Sequence, residues 1–182
     1  MKLDLGCGPG KMPGATGVDI VPARGVDVVH DLNEIPWPFE ADTVTFVQAR
    51  HIIEHVEDIA RFMAEIHRVC VDGAEVVIET PHFTSLDSWA DPTHRWHLSA
   101  DFADFFVAPN AVAARSGRFE LLERRLSFGS FLWSWPARLL CAVGGVRFWE
   151  RYFCFIWRAR NIHVRLRVVK DRARAGGPWA GG

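Results

Sequence analysis

The sequence predicts an α/β fold: a mostly parallel sheet of about seven strands with an antiparallel edge strand. Short apolar and β-branched segments recur through the first half of the chain, each closed by Gly, Pro, Asp or Asn. A segment with helical spacing of apolar residues separates two of them, and an alternating segment stands near the end of the chain. With 182 residues, 49% of them hydrophobic, the chain suits one globular domain rather than a disordered or fibrous protein.

The strands of the first half are predicted to be buried and parallel. They occupy residues 2–5, 26–30, 43–48 and 75–80, and Thr16-Gly17-Val18-Asp19 forms the second strand in chain order. Only eight residues separate Gly10 from Asp19, whereas a parallel crossover normally needs about a dozen or more. The first connection is therefore predicted to be a turn without a helix.

Two helices are predicted between and after these strands. The apolar residues at helical spacing are Ile52, Ile53, Val56, Ile59, Met63, Ile66 and Val69, with Asp72-Gly73 as the stop. The second helix starts from Ser99 as the N-cap and continues through Phe102, Phe105 and Phe106.

The second half of the chain is predicted to complete the sheet. Residues 119–127 and 161–170 are predicted strands that pair as an antiparallel edge, and the latter alternates apolar with His and Arg residues. One domain is therefore predicted over residues 1–170. Residues 171–182 lack periodicity and are rich in Gly and Ala, which predicts a disordered tail.

A glycine loop follows the first strand. Gly6, Gly8 and Gly10 allow a sharp turn and let the backbone approach a ligand closely. Asp19 ends the second strand, where a carboxylate is placed to accept hydrogen bonds from both hydroxyls of a ribose. The bland alternative is a cluster of turn glycines with surface acids. A nicotinamide enzyme is the other alternative, but its G-x-G-x-x-G spacing differs from the G-x-G-x-G found here.

Several ordered motifs over residues 1–107 resemble the class I S-adenosylmethionine-dependent methyltransferases. They are Leu3-Asp4-Leu5-Gly6-Cys7-Gly8-Pro9-Gly10, Gly17-Val18-Asp19, His30-Asp31-Leu32 to Pro36-Trp37-Pro38-Phe39, Ile53-Glu54-His55-Val56, and Glu65-Ile66-His67-Arg68-Val69 before Asp72-Gly73. The resemblance implies a Rossmann-like sheet and S-adenosylmethionine as the cofactor. It extends to a short group that lacks helices before the first strand and is associated with surface-polysaccharide synthesis. Another segment must then cover the cofactor.

The resemblance also implies a set of cofactor-binding residues. They are Asp4, Gly6, Gly8, Gly10, Asp19, Asp31, Leu32, Gln48 and Ala49. By this resemblance the glycines line the methionine and ribose, and Asp19 binds the ribose hydroxyls. Asp31 and Leu32 flank the adenine, while Gln48 and Ala49 lie near the methionine.

Four histidines are candidate catalytic residues: His82, His94, His97 and His55. Reacting groups in open α/β sheets gather beyond the carboxyl ends of the strands, and His82 follows a strand there. A polar loop brings His94 and His97, while His55 and His51 come from the predicted helix start. Methyl transfer to a hydroxyl needs an aligned nucleophile and a base, which a histidine supplies near neutral pH.

Two other interpretations of these histidines stay open. His51 and His55 can simply cap a helix and bond backbone groups. The spacing His51-x-x-Glu54-His55 also matches a metal motif, and related quinone O-methyltransferases hold a divalent ion at this helix. Arg50 and His51 occupy positions where those enzymes carry acids, and the predicted site includes no metal.

Residues 130–158 form an aromatic, basic insertion between the last two strands. Its longest uncharged run, residues 126–137, is shorter than the ~20 residues that span a bilayer. Residues 118–182 carry a net charge of +9, whereas residues 1–117 carry −10. The insertion is predicted to be a surface for a membrane or lipid-linked substrate, a lid, or a homodimer interface. The acidic first half argues against a nucleic-acid partner.

The sequence thus predicts an S-adenosylmethionine-dependent methyltransferase that acts on a hydroxyl of a glycan or lipid-linked saccharide. A non-catalytic cofactor-binding or membrane-associated partner protein is the alternative. The four cysteines form no CxxC pair, and no secretory leader is recognisable. A cytoplasmic protein is therefore expected, and membrane association is one of the roles left open for the insertion.

Overall fold

A computed structural model describes residues 1–170, apart from the side chains of residues 131 and 132; the predicted tail, 171–182, lies outside the described residues. The strands are β1 (Lys2–Leu5), β2 (Thr16–Asp19), β3 (Val28–Val29), β4 (Val44–Arg50), β5 (Cys70–Pro81), β6 (Arg118–Phe128) and β7 (Ala159–Val169). The helices are α1 (Ile59–Val69), α2 (Leu86–Ala90), a 3₁₀ turn (Ala100–Ala103), α3 (Asp104–Val107), α4 (Ala111–Ser116) and α5 (Phe131–Tyr152).

The sheet is mostly parallel, as the sequence predicts. Its order is β3-β2-β1-β4-β5-β7-β6, and the first five strands in this order run parallel. β7 runs antiparallel to both β5 and β6, so it lies between them and β6 forms the edge. The carboxyl ends of β1, β2, β4 and β5 therefore share one rim of the sheet, where ligands bind in open α/β folds.

The connection from β1 to β2 contains no helix, as the short spacing predicts. Side chains hold it instead. The backbone N–H of Met12 donates to Asp4 at 2.7 Å, and Lys11 pairs with Asp27, which also accepts from the N–H of Gly17. These hydrogen bonds pin the glycine loop to the two strands that flank it.

The predicted start of the first helix is wrong. α1 begins at Ile59, and its N-cap Asp58 accepts hydrogen bonds from the N–H groups of Ala60 and Arg61. Residues 51–58 form turns. Ile53 and Val56 are buried in these turns, so their apolar spacing reflects burial rather than helix. The predicted stop is also wrong, since Asp72 and Gly73 lie within β5, which follows α1 directly.

The second predicted helix is present as a 3₁₀ turn that continues into α3. Ser99 is its N-cap, and its hydroxyl accepts from the N–H of Asp101 at 3.2 Å. Phe102 and Phe106 are buried in the main core, whereas Phe105 is exposed.

The aromatic insertion contains α5, which is kinked at Gly145. Trp149 and Ala137 are fully buried and pack with Phe128, Cys154 and Ala159 in a second apolar cluster beside β6 and β7. Arg147 of α5 pairs with Asp101 and Asp104, which also pair with Arg124 of β6. Within the described chain, no helix is long and apolar enough to span a bilayer.

Candidate active site

The glycine loop turns the chain back over the end of β1. Gly6 and Gly8 have φ values of 64° and 51°, in the left-handed region that favours glycine. The N–H groups of Gly6 and Cys7 donate to the carbonyl of Val18 at 2.8 and 3.2 Å. Burial, together with the carboxylates of Asp4 and Asp19, raises the pKa of the Cys7 thiol, so this thiol stays neutral.

Asp19 is oriented by the loop that it faces. Its Oδ2 accepts from the N–H of Gly8 at 2.9 Å, and its Oδ1 accepts from the N–H of Val21 at 3.0 Å. A carboxylate oxygen can accept more than one hydrogen bond, so both oxygens of Asp19 can still accept hydrogen bonds from hydroxyls. This is the arrangement that ribose recognition requires.

Asp4 and Gln48 lie beneath the loop. Asp4 is 3% exposed; its Oδ2 accepts from Met12, and its Oδ1 accepts from Nε2 of Gln48 at 3.1 Å. Ala49 is fully buried in β4. These three predicted cofactor residues therefore lie close to the loop and support its shape.

A first cavity, of about 160 Å³, lies at the ends of β1 and β2. Four predicted cofactor residues line it, namely Gly6, Asp19, Asp31 and Leu32, and so does His55. Gly8 and Gly10 are not among its lining residues. Five lining residues were not predicted from the sequence: Ile20, His30, Asn33, Ile52 and Val56.

The sequence positions of Ile20 and Asn33 indicate that they lie near a ligand. Ile20 and Asn33 come directly after Asp19 and Leu32, at ends of strands where ligands collect. Ile52 and Val56 carry no such signal, because their apolar spacing predicted a helix.

A second, open cavity of about 640 Å³ adjoins the first at the ends of β4 and β5. It is lined by His51, His55, Pro81, Asp87, Ala90, Asp91, Pro92 and His94. We call it the polar groove. His55 lines both the polar groove and the first cavity, so a ligand in one lies next to a ligand in the other.

Two of the predicted catalytic histidines, His55 and His94, meet at the polar groove. Their rings are 4.6 Å apart, edge to face. The backbone N–H groups of Arg95 and Trp96 donate to the carbonyl of Glu54 at 2.8 and 3.2 Å. This bridge brings the loop that carries His94 onto the turn that carries His55.

The other two predicted catalytic histidines lie elsewhere. His82 is fully buried, with Nδ1 2.7 Å from the Thr84 hydroxyl and Nε2 3.0 Å from Glu150 of α5. His97 stacks on Trp89 at 3.6 Å, and its Nδ1 lies 2.9 Å from the Ser88 hydroxyl. Neither ring is among the lining residues of the polar groove.

Glu54 is a buried acid behind the polar groove, and it is 1% exposed. Its Oε2 accepts from the Thr80 hydroxyl at 3.0 Å, whereas Oε1 has no hydrogen-bond partner. Nδ1 of His51 lies 3.3 Å from Oε1. The interaction with Glu54 raises the pKa of His51 above its ordinary value, despite the partial burial of the ring.

Comparison with known proteins relates this chain to one family. A family model described as a methyltransferase domain matches residues 2–111. No curated protein matches the chain. Among solved structures, an S-adenosylmethionine-dependent methyltransferase from Mesorhizobium loti has 16% identity over 91% of this chain and 89% of its own, with a TM-score of 0.59. One from Archaeoglobus fulgidus has 17% identity over 91% and 85%, with a TM-score of 0.61.

Proposed function

Because the chain belongs to the class I S-adenosylmethionine-dependent methyltransferases, we propose that it methylates a hydroxyl of a glycan or a lipid-linked saccharide. The chain is an enzyme and its cofactor is S-adenosylmethionine. The polar groove is the observation on which the acceptor class depends.

The lining of the first cavity suits the ribose and adenine of the cofactor. Gly6, with its positive φ, brings backbone to the wall of the cavity, and a Cβ there would meet Ile52 at 3.0 Å. Asp19 presents an oriented carboxylate to a ribose diol. Asp31 accepts from the N–H and the side-chain amide of Asn33, so its position beside the expected adenine is also held.

The polar groove suits a hydroxylated acceptor. Carboxylates of Asp87 and Asp91 accept hydrogen bonds from hydroxyls, and no large aliphatic side chain lines the groove in the described structure. Trp89, 63% exposed and next to Ala90 of the groove, offers one aromatic face, because the other face is covered by His97. An acidic groove beside an aromatic face matches a sugar, which has polar edges and an apolar face.

The histidines at the groove supply the proton chemistry. When bound, S-adenosylmethionine supplies an electrophilic methyl carbon. His55 lines both cavities, so it would orient the acceptor hydroxyl toward that carbon. His94 or His51, on the groove side, would take the hydroxyl proton as the methyl group passes from the cofactor sulfur to the acceptor oxygen.

A lipid-linked acceptor is supported by the surface of α5 and the residues after it. Exposed apolar side chains there are Trp133, Trp135, Leu139, Val143, Tyr152, Phe155 and Ile156. Arg151, Arg158 and Arg160 stand among or beside them, and the chain after residue 117 has a net charge of +9. Trp and Arg side chains suit the headgroup region of an anionic membrane, where such an acceptor would lie.

The test compares glycans and lipid-linked saccharides from cells with and without the gene by mass spectrometry. We expect a methyl-sized mass difference on one saccharide, and its recovery with the purified enzyme and S-adenosylmethionine. The variant Asp91→Asn is expected to lose most of this activity, whereas Glu34→Gln, an exposed change outside both cavities, retains it. Methylation of a molecule without sugar hydroxyls, and of no saccharide, would refute the proposed acceptor class.

A further inference from the structure

We propose that Glu54, His55 and His94 form a site for a divalent transition-metal ion at the boundary of the two cavities. Each of the three residues offers one ligand atom, and these atoms all lie within 4.8 Å of one another. Glu54 belongs to the turn after β4, as does His55, while His94 comes from the loop after α2. The hydrogen bonds from Arg95 and Trp96 to the carbonyl of Glu54 hold the two segments together.

The first observation is a buried oxygen of Glu54 that accepts no hydrogen bond. The residue is 1% exposed, and its Oε2 is satisfied by the hydroxyl of Thr80. Its Oε1 is buried and has no hydrogen-bond partner. Nδ1 of His51 lies 3.3 Å from this oxygen, as an ion-pair contact without hydrogen-bond geometry. Buried carboxylate oxygens normally accept hydrogen bonds, so this oxygen keeps the capacity to bind a cation.

The second observation is the tautomer of His94. Its Nδ1 lies 3.0 Å from the carbonyl oxygen of Ser88. A carbonyl only accepts, so Nδ1 carries the proton and the neutral ring has its lone pair on Nε2. That Nε2 lies 4.0 Å from Glu54 Oε1, and 3.9 Å from Oδ2 of Asp91. The lone pair of His94 therefore lies near the oxygen of Glu54 that accepts no hydrogen bond.

The third observation is the same tautomer at His55. The hydroxyl of Thr93 donates its only proton to Oδ1 of Asp91 at 2.6 Å, so its oxygen accepts from Nδ1 of His55 at 3.0 Å. Nε2 of His55 then carries the lone pair. Metal-bound histidines typically donate their other ring N–H to a carbonyl or similar acceptor, and both rings here do so.

The donor set indicates the kind of ion. Two imidazole nitrogens and one carboxylate oxygen suit Zn²⁺ and similar transition ions, and three protein ligands leave a coordination position open. Metal bonds of about 2.0–2.2 Å keep ligand atoms roughly 3–3.5 Å apart, so small rotations of the imidazoles complete the site. His55 and His94 line the polar groove, so an ion that they held would border it. A role for the ion in binding the acceptor hydroxyl rests on the proposed function, and with the ion bound His51 is the proton acceptor because the lone pair of His94 is on the metal. The site itself does not rest on the proposed function.

The experiment measures metal binding directly. The full-length protein is treated with a chelator, dialysed and titrated with Zn²⁺, Mn²⁺ or Mg²⁺ in a calorimeter. We expect binding of one Zn²⁺ per chain that is tighter than that of Mg²⁺. Loss of a ligand in His94→Ala or Glu54→Gln should weaken it by about 10-fold or more. The control His97→Ala removes another imidazole of the same loop and should leave zinc affinity unchanged.

A second measurement distinguishes the loss of a metal ligand from misfolding of a variant. Co²⁺ bound to the wild type should give visible absorption bands typical of nitrogen and oxygen ligation, and His94→Ala should change them while its far-ultraviolet circular dichroism stays that of the wild type. No stoichiometric binding by the wild type, or wild-type affinity in His94→Ala, would overturn the site. A protein that binds zinc but methylates no saccharide would instead contradict the proposed function alone.

Discussion

Asp19 shows how the glycine loop orients a single side chain at the rim of the sheet. The N–H groups of Gly8 and Val21 hold both carboxylate oxygens, so this acid is oriented before any ligand binds. Asp4 has a different role, since its hydrogen bonds go to Met12 and Gln48 beneath the loop. Both acids belong to the predicted cofactor site, yet Asp19 lines the first cavity and Asp4 does not.

We predict that Asp19→Asn weakens the binding of S-adenosylmethionine. Loss of a charged hydrogen-bond acceptor for the ribose costs about 1.5–3 kcal/mol, which is roughly 10- to 100-fold in affinity. Isothermal titration calorimetry measures this change. The control is Asp87→Asn, an acid of the polar groove outside the first cavity, which should bind the cofactor as the wild type does. Equal affinity of Asp19→Asn and wild type would contradict the assignment.

The predicted catalytic histidines differ in exposure to the groove. His94 lines the polar groove, whereas His82 is fully buried between Thr84 and Glu150. The sequence places both beyond the strand ends, because position along the chain indicates the rim of the sheet. It does not indicate which side chains point into a cavity, since that depends on the path of α5 over His82.

We predict that His94→Ala and His82→Ala fail in different ways. His94→Ala should lower turnover about 10²–10⁴-fold with little change in cofactor affinity, because it removes a proton acceptor or a metal ligand. His82→Ala should lower the free energy of unfolding by about 1–3 kcal/mol, since it removes the buried hydrogen bonds of the imidazole with Glu150 and Thr84. Steady-state kinetics and urea unfolding separate the two effects. If His82→Ala is as stable as the wild type but inactive, His82 is catalytic, as the sequence predicts.

The start of α1 shows that apolar spacing alone does not locate the first residue of a helix. Ile53 and Val56 continue the apolar spacing of α1 backwards, but they are buried within turns. Asp58 is a strong N-cap residue, and its carboxylate accepts from the first turn of α1. Weighting this cap above the apolar spacing would have placed the start correctly. The error matters, because it put His55 on a helix rather than in the turn beside Glu54.

The insertion is held by a cluster of charges between three elements. Arg124 of β6 and Arg147 of α5 both pair with Asp101 and Asp104. Burial is the largest single influence on Asp104 and by itself would raise its pKa. The hydrogen bonds from Arg124 and Arg147 together outweigh it and hold the pKa below its ordinary value.

We predict that this cluster loses its stabilising effect in acid. The pKa of Asp104 is lower in the folded than in the unfolded chain, so its contribution is complete above about pH 4 and is lost as the pH falls through the folded value. For this partly exposed pair we expect about 0.5–1 kcal/mol. Urea unfolding at neutral and acidic pH measures it. Asp104→Asn should remove this part of the acid dependence of stability, whereas Arg151→Ala, which like Arg147 is in α5, should not. Identical pH profiles for the wild type and Asp104→Asn would contradict the prediction.

At the scale of the whole molecule, the sequence predicts the architecture but not its order. Each strand has a local signal, so seven strands and a mostly parallel sheet follow from the chain itself. The insertion of β7 between β5 and β6 depends on pairing between residues far apart in sequence, such as Ile78 with Val164. The polar groove likewise depends on a loop folding back onto Glu54. Long-range contacts of this kind leave no local pattern in a single sequence.

The charge asymmetry of the molecule leads to the last prediction, that α5 and the residues after it bind anionic membranes. Phe155 and Ile156 are 82% and 66% exposed, and the basic end of the chain adds about 1 kcal/mol for each Lys or Arg near an anionic surface. Full-length protein should sediment with phosphatidylserine vesicles at low salt, less so at high salt, and not with neutral vesicles.

The double variant Phe155→Ser and Ile156→Ser should reduce binding, whereas Val29→Ser, an exposed apolar position near the opposite edge of the sheet, should not. Wild-type protein that stays in the supernatant at low salt would contradict the membrane surface. If the double variant then also converts a dimer to a monomer in analytical ultracentrifugation, the same residues form a subunit interface, and a soluble glycan becomes the better acceptor.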